Sequence, residues 1–288
     1  MLDGNFARIA LSCAALSLTF ATARAADPPK YPDLSGQWQR IAVQGVRGQP
    51  SYDPTKAWGK GQEAPLTAEY QTVLEANLKD QENGGHGGLV GWTCRPYGMP
   101  MMMYGITPLE FVVTPKTTYV LVNFLDPMRR IYTDNRTMPD DTVPSFQGYS
   151  TGRWVDQDGD GVYDVLEVET RNFKGPRFYD EAGTPIHTDD ESVFKERIYL
   201  DKSDPNVLHD EITTIDHALT RPWTVTRNYR RVASDKPVWL EFNCAENNPH
   251  VQIGGDNYFL SAGGLLMPAR KDQAPPDLKY FKRATKTP

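Results

Sequence analysis

From about residue 108 onward the chain breaks into short runs rich in β-branched and aromatic residues. In Val162-Tyr-Asp-Val-Leu-Glu-Val-Glu-Thr170, β-branched and acidic residues alternate, the pattern of a strand with one buried face. Further strands are predicted at Glu110–Val113, Thr117–Leu125, Arg129–Asp134, Tyr149–Val155, Val193–Leu200, Val207–Ile215, Thr224–Val232 and Tyr258–Leu260. Thr114-Pro115, Asp126-Pro127, Pro139-Asp-Asp141 and Asp204-Pro205 punctuate them as turns. Evenly spaced short strands without alternating helices point to a mainly β fold, a single antiparallel barrel or sandwich. One helix stands apart, over Thr67–Lys79. Thr67 caps it, Glu69 sits in its first turn, and Tyr70, Val73, Leu74 and Leu78 share a face.

The N-terminus reads as an address. Arg8 precedes an apolar run from Ile9 to Ala23, and Ala23-Arg24-Ala25 has the form of a cleavage site. We therefore expect residues 1–25 to be a signal peptide and residues 26–288 to form a single β-rich domain, periplasmic or secreted. The formal net charge is −6, and no basic run follows the leader. That balance argues against nucleic acid and anionic membrane surfaces as partners. No later segment is apolar enough to insert into a membrane. Beyond the leader only Cys94 and Cys244 remain, and in an exported chain an isolated pair is most simply a disulfide.

One stretch specifies chemistry by spacing. Asp156-Gln-Asp-Gly-Asp-Gly-Val-Tyr-Asp-Val-Leu-Glu167 places carboxylates at loop positions 1, 3, 5, 9 and 12 (Asp156, Asp158, Asp160, Asp164, Glu167). Gly161 stands where the backbone must turn, and the Val162 carbonyl is the seventh-position ligand. This is a calcium pattern of EF-hand type, but both flanks read as strand. The loop is thus expected at the tip of a hairpin, residues 147–170, holding a structural Ca2+. The competing possibility is a solvated acidic turn without an ion.

Two other regions are candidates for binding or catalysis. Cys94-Arg-Pro-Tyr-Gly-Met-Pro-Met-Met-Met-Tyr104 is a soft apolar surface. Met102 and Tyr104 could line a pocket for an apolar ligand, or the stretch could simply plug the core. On the strands, period two puts Arg130, Tyr132 and Asp134 on one face, and Glu196 lies among aromatics on its own. His187 lies just before the Glu196 strand. If these faces point inward they form a ligand or reaction site; if outward, they are ordinary ion pairs. General acid–base work by Asp134, His187 or Glu196 is then open. The sequence contains no nucleophile elbow, phosphate loop, dinucleotide fingerprint or zinc pair.

Gly36-x-Trp38 on the first strand resembles the opening motif of lipocalins, in which the Trp closes one end of a β-barrel. More widely, Asp33-Leu-Ser-Gly-x-Trp38, Cys94-x-Pro-x-Gly98, Arg130-Ile-Tyr-Thr-Asp-x-Arg136, Gly148-Tyr-Ser-x-Gly-x-Trp154, Glu196-Arg197 and Arg221-Pro-Trp223 together resemble a group of exported bacterial β-rich proteins without an agreed activity. Its members usually join the strands after the Trp154 position by a short Gly-Asp turn. The long Asp156–Glu167 loop departs from that pattern. The resemblance thus implies that calcium is an embellishment and that the shared polar strand residues are the better site candidates. We expect a lipocalin-like barrel that binds a small, partly apolar ligand through Trp38, Met102, Tyr104, Arg130, Tyr132, Arg136 and Arg221. The alternative is a cofactor-independent hydratase, lyase, isomerase or hydrolase working in the barrel cavity.

Overall fold

The computed structural model describes residues 30–41, 64–89, 94–104, 107–125, 128–187, 191–242, 244, 250–253, 256–260 and 265–274. The expected signal peptide lies outside these residues. Nine strands close into a barrel in sequence order: β1 (Gln37–Arg40), β2 (Leu109–Val113), β3 (Thr117–Val122), β4 (Met128–Tyr132), β5 (Tyr149–Val155), β6 (Val165–Arg171), β7 (Val193–Leu200), β8 (Val207–Ile215) and β9 (Trp223–Arg231). The strands expected at 149–155, 193–200 and 207–215 have the predicted bounds. The strand expected from Val162 begins at Val165, because the acidic loop turns the chain first. A separate sheet holds β10 (His250–Ile253), β11 (Asp256–Leu260) and β12 (Leu266–Pro268).

Strand number dictates one feature of the topology. A ring in which every neighbour is antiparallel needs an even number of strands, so nine strands require a parallel step. It falls between β4 and β5, while every other adjacent pair, including the closing β1–β9 pair, is antiparallel. Parallel neighbours need a long connection, and residues 133–148 supply it. The parallel step is registered only at Ile131↔Ser150 and Tyr132↔Thr151, and β1–β2 only at Gln37↔Glu110 and Trp38↔Leu109. The β5–β9 hairpins, by contrast, are long and fully registered.

Alternate strand residues point inward and make one core: Trp38, Leu109, Phe111, Val120, Val122, Ile131, Leu166, Val168, Phe194, Ile198, Leu208, Ile212, Val225 and Tyr229 among them. The helix α1 (Ala68–Glu82) starts where expected. The Tyr70 amide donates to the Thr67 hydroxyl at 3.4 Å. Its buried stripe is narrower than the sequence suggests: Leu74 and Leu78 pack with Ala182 and Leu66, whereas Val73 is 39% exposed. The segment 94–104 closes the barrel interior. Met99, Met101, Met102, Met103 and Tyr104 are all buried, so the stretch acts as a core plug. Gly98 allows this docking. It has a φ of +65°, and a Cβ there would meet the Phe146 carbonyl oxygen at 2.0 Å. The Cys94–Cys244 disulfide forms as expected, with a Cα–Cα distance of 5.6 Å, and ties the start of the plug to the chain after β9. Across a sequence separation of 150 residues, such a tether contributes about 4–5 kcal/mol in the chain-entropy model. Among the described residues, no helix is long and apolar enough to cross a membrane.

Candidate functional site

The barrel interior carries charges, in two arrangements. The first is complete. Arg129 projects inward from β4 and is 1% exposed. Its Nη1 donates to Glu196 Oε1 at 2.8 Å and its Nη2 to Glu196 Oε2. Nη2 also donates to the Thr170 hydroxyl at 2.9 Å, and Nε to the Ser150 hydroxyl at 3.2 Å. Ser150 and Thr170 hydrogen-bond each other at 2.9 Å. A bidentate guanidinium–carboxylate pair with its remaining donors occupied is the geometry that makes burial of two charges tolerable.

The second arrangement is open. Asp210 on β8 and Arg227 on β9 are registered neighbours, and both are fully buried. Inward side chains at such positions can touch, yet these two do not bond. Arg227 turns instead to the plug: Nη1 donates to the Pro100 carbonyl at 2.6 Å and Nη2 to the Tyr179 carbonyl at 3.4 Å. Around it, buried polar atoms have no hydrogen-bond partner. These are both carboxyl oxygens of Asp210, Arg227 Nε, the Tyr104 and Tyr179 hydroxyls, and Arg40 Nε and Nη1; further along β8, at the Trp223 end, the Thr214 hydroxyl is also without a partner. The guanidinium groups of Arg40 and Arg227 lie 4.7 and 5.4 Å from the Tyr104 ring centroid, and Tyr179 faces Arg227 at 5.3 Å and Trp223 at 4.4 Å. Burial, and then the nearby Glu196 charge, push the Asp210 carboxyl well above the usual carboxylate range. Burial likewise pushes the Tyr104 and Tyr179 hydroxyls upward, which keeps them neutral donors.

The plug is held by side chains acting on its backbone. Besides Arg227, Arg177 Nη1 donates to the Met99 carbonyl at 3.1 Å, and the Tyr229 hydroxyl donates to the Met103 carbonyl. A segment without strand pairing thus has its carbonyls satisfied by three buried donors.

The structure sorts the sequence candidates. Trp38, Met102, Tyr104 and Glu196 are inside. Trp38 Nε1 donates to the Leu34 carbonyl at 3.0 Å. The face carrying Arg130, Tyr132 and Asp134 points outward, because Arg129 and Ile131 take the inner positions of β4. Arg136 joins that outer group, stacked 4.0 Å over Tyr132 and bonded to Asp134 at 2.6 and 2.8 Å. Its guanidinium holds the half-buried Asp134 carboxyl down to about 2. Arg221 is exposed, just before β9. The His187 amide donates to Asp216, and its ring lies by Tyr70 and His217 beneath α1. Asp134, His187 and Glu196 therefore occupy three different places and form no joint catalytic set.

Arg129, Asp210, Arg227, Tyr179 and Thr214 were not among the sequence candidates. For two of them a signal existed. Asp210 shares its face with Leu208 and Ile212, and Arg227 shares its face with Val225 and Tyr229, so each is an ionisable group on an apolar strand face.

The acidic loop lies at the tip of the β5–β6 hairpin, as expected. Carboxylate oxygens of Asp156, Asp158 and Asp164 lie within 4.8 Å of one another. That is the span of about two 2.4 Å calcium–oxygen bonds end to end. Asp156 also accepts the Gly159 and Gly161 amides at 2.7 and 2.9 Å, and Gly161 takes the positive φ (+90°) its position requires. Asp160 accepts the Val162 amide at 2.8 Å, while Glu167 turns to Arg153 at 2.7 Å. A hollow of about 560 Å³ opens on the outer face of β5–β7, walled by Arg136 and lined by the paired charges of Arg153, Glu167, Glu169, Lys195 and Arg197. No known protein family and no curated protein matches this chain.

Proposed function

We propose that this is an exported β-barrel protein that binds a small, partly apolar ligand inside the barrel, and that its acidic loop holds a structural calcium ion. One observation carries the binding reading: the partnerless polar atoms gathered around Asp210 and Arg227. Folded proteins leave few buried polar atoms unsatisfied, and each costs about 1–3 kcal/mol. Their concentration in one part of a closed barrel, next to soft Met and aromatic side chains, fits a chamber whose network an incoming molecule completes. The Cys94–Cys244 disulfide supports an oxidising compartment, periplasmic or external. The decisive experiment is native mass spectrometry of protein from a periplasmic preparation, with calcium and with chelator. A bound mass of a few hundred daltons, on the order of a typical pocket's cargo, lost on denaturation, supports the carrier. An empty barrel counts against it.

The convergence of Asp156, Asp158 and Asp164 supports the calcium reading. Asp158→Ala is expected to lower the melting temperature in calcium and to leave it unchanged in chelator. For a site kept at about a hundred times its Kd, the calcium-dependent part is about 2.7 kcal/mol. Equal melting shifts in both buffers would rule the ion out.

A second reading, a cofactor-independent hydratase, lyase, isomerase or hydrolase, is favoured by Asp210, a buried carboxyl that desolvation shifts upward. A carboxyl shifted toward its neutral form, beside tyrosine hydroxyls in an apolar setting, is suited to donate a proton. Turnover of any ligand recovered by mass spectrometry, abolished in Asp210→Asn, would move the assignment to this class.

A further inference from the structure

The hollow of about 560 Å³ on the outer wall of the barrel has the size of a small-molecule site. Its floor follows from strand register. Thr151 on β5, Glu169 on β6 and Lys195 on β7 pair in one row across the wall, and Arg153, Glu167 and Arg197 pair in the next. All six face outward, because the alternate residues Ser150, Val168, Thr170, Glu196 and Ile198 are buried. Thr151 is the one short side chain among the six, so the wall dips where it stands. Arg136 closes the dip on the β5 side, where its Nη1 donates to the Tyr149 hydroxyl at 3.2 Å.

Charge is laid out in three bands. Arg136 and Arg153 stand on the β5 flank, Glu167 and Glu169 along the middle on β6, and Lys195 and Arg197 on the β7 flank. The flanks are two strand spacings apart, about 9–10 Å. The central carboxylates are already engaged: Glu167 accepts Arg153 at 2.7 and 2.9 Å, and Glu169 accepts Arg171 at 2.6 Å. Lys195 Nζ comes no nearer to Glu169 than 3.8 Å, beyond hydrogen-bonding distance. Around the hollow the cations Arg136, Arg153, Arg171, Lys195 and Arg197 share only the carboxylates of Asp134, Glu167, Glu169 and Glu211. This face is thus locally positive on a chain whose formal net charge is −6. Arg136 is also held in place. Asp134 takes its fork and the Tyr132 ring lies 4.0 Å from it, so it loses little freedom when it binds.

We propose that this hollow is a binding site of its own, separate from the barrel interior, for a small organic dianion. The ligand lies across β6 with one anionic group on the Arg136–Arg153 flank and the other on Lys195 and Arg197. A lone anionic group at the centre would face Glu167 and Glu169, whereas two groups at the ends meet the cations. Hydroxyls between the ends find acceptors in the same two carboxylates.

The test uses three probes on one six-carbon chain: glucarate with two carboxylates, gluconate with one and glucitol with none. They are titrated calorimetrically into the mature protein at low ionic strength, and all three are too polar to enter the apolar interior. Glucarate is expected to bind, gluconate about tenfold more weakly, and glucitol not measurably. Added salt should weaken glucarate binding, because the site is open to solvent. Lys195→Ala is the informative variant, since its side chain is 56% exposed and its contact to Glu169 is long. It should weaken glucarate binding about tenfold and leave the melting temperature unchanged. Lys79→Ala removes the same charge from the exposed side of α1 and should leave the affinity as it is. Thr151→Tyr fills the floor and should abolish binding. Absence of glucarate binding, equal binding of gluconate, or equal affinities in Lys195→Ala and Lys79→Ala overturns the proposal, and each of these leaves the carrier reading standing.

Discussion

The two charged pairs inside the barrel are built from the same chemistry and end in opposite states. Arg129 and Glu196 reach across from β4 to β7 and close into a bidentate pair, with Ser150 and Thr170 taking the remaining contacts. Asp210 and Arg227 stand side by side on adjacent strands and stay apart. Proximity is therefore not what separates them. Arg227 is committed to the Pro100 and Tyr179 carbonyls, and burial shifts the Asp210 carboxyl upward despite the nearby arginines. A complete buried pair holds the fold together; an incomplete one leaves hydrogen-bonding capacity for something else.

Removing half of the complete pair should have the largest effect. Glu196→Ala strands the Arg129 guanidinium in the core and is expected to cost about 3–5 kcal/mol in chemical denaturation. A loss below about 1 kcal/mol would mean that water reaches Arg129 and that the two pairs are not so different. Asp210→Asn should cost far less and should show its character through pH. The folded-state pKa lies above the unfolded value near 3.8, so folding takes up a proton between the two. Wild-type stability attributable to this group is full below pH 3.8 and declines as pH rises toward the folded pKa. The asparagine variant lacks that decline, so its stability relative to wild type should improve as pH rises above about 4. A flat difference would show that Asp210 is ionised when folded. The smallest effect is expected outside the barrel. Arg153→Ala breaks an ion pair with Glu167 whose arginine is 71% exposed, and should cost about 0–1 kcal/mol, less in high salt.

The fold was more legible in the sequence than the site, and the reason is local. Strands such as Val193–Leu200 and Val207–Ile215 show their bounds through β-branched residues and flanking turns. The acidic loop shows itself because its ligands lie within one short stretch. Facing is harder on a short strand. Arg129 and Arg130 are adjacent and chemically identical, and only the pairing of β4 with β3 and β5 decides which one enters the core. The open pair was hidden for another reason. It stays open because Arg227 binds a plug from residues 94–104, a partner far away in sequence that no strand pattern announces. The separate β10–β12 sheet was seen only at its central strand, its flanking strands being short.

The odd strand count has a mechanical consequence. With β4–β5 and β1–β2 each registered at only two positions, the ring consists of two staves: β2–β3–β4, and the broader run β5 to β9 with β1. Such a wall yields along its joints before it yields across a hairpin, and the amides flanking the joints should exchange with deuterium earliest. Arg129 stands on the narrow stave and grips Ser150, Thr170 and Glu196 on the broad one. It works as a rivet across the joint, opposing the parting of the two staves.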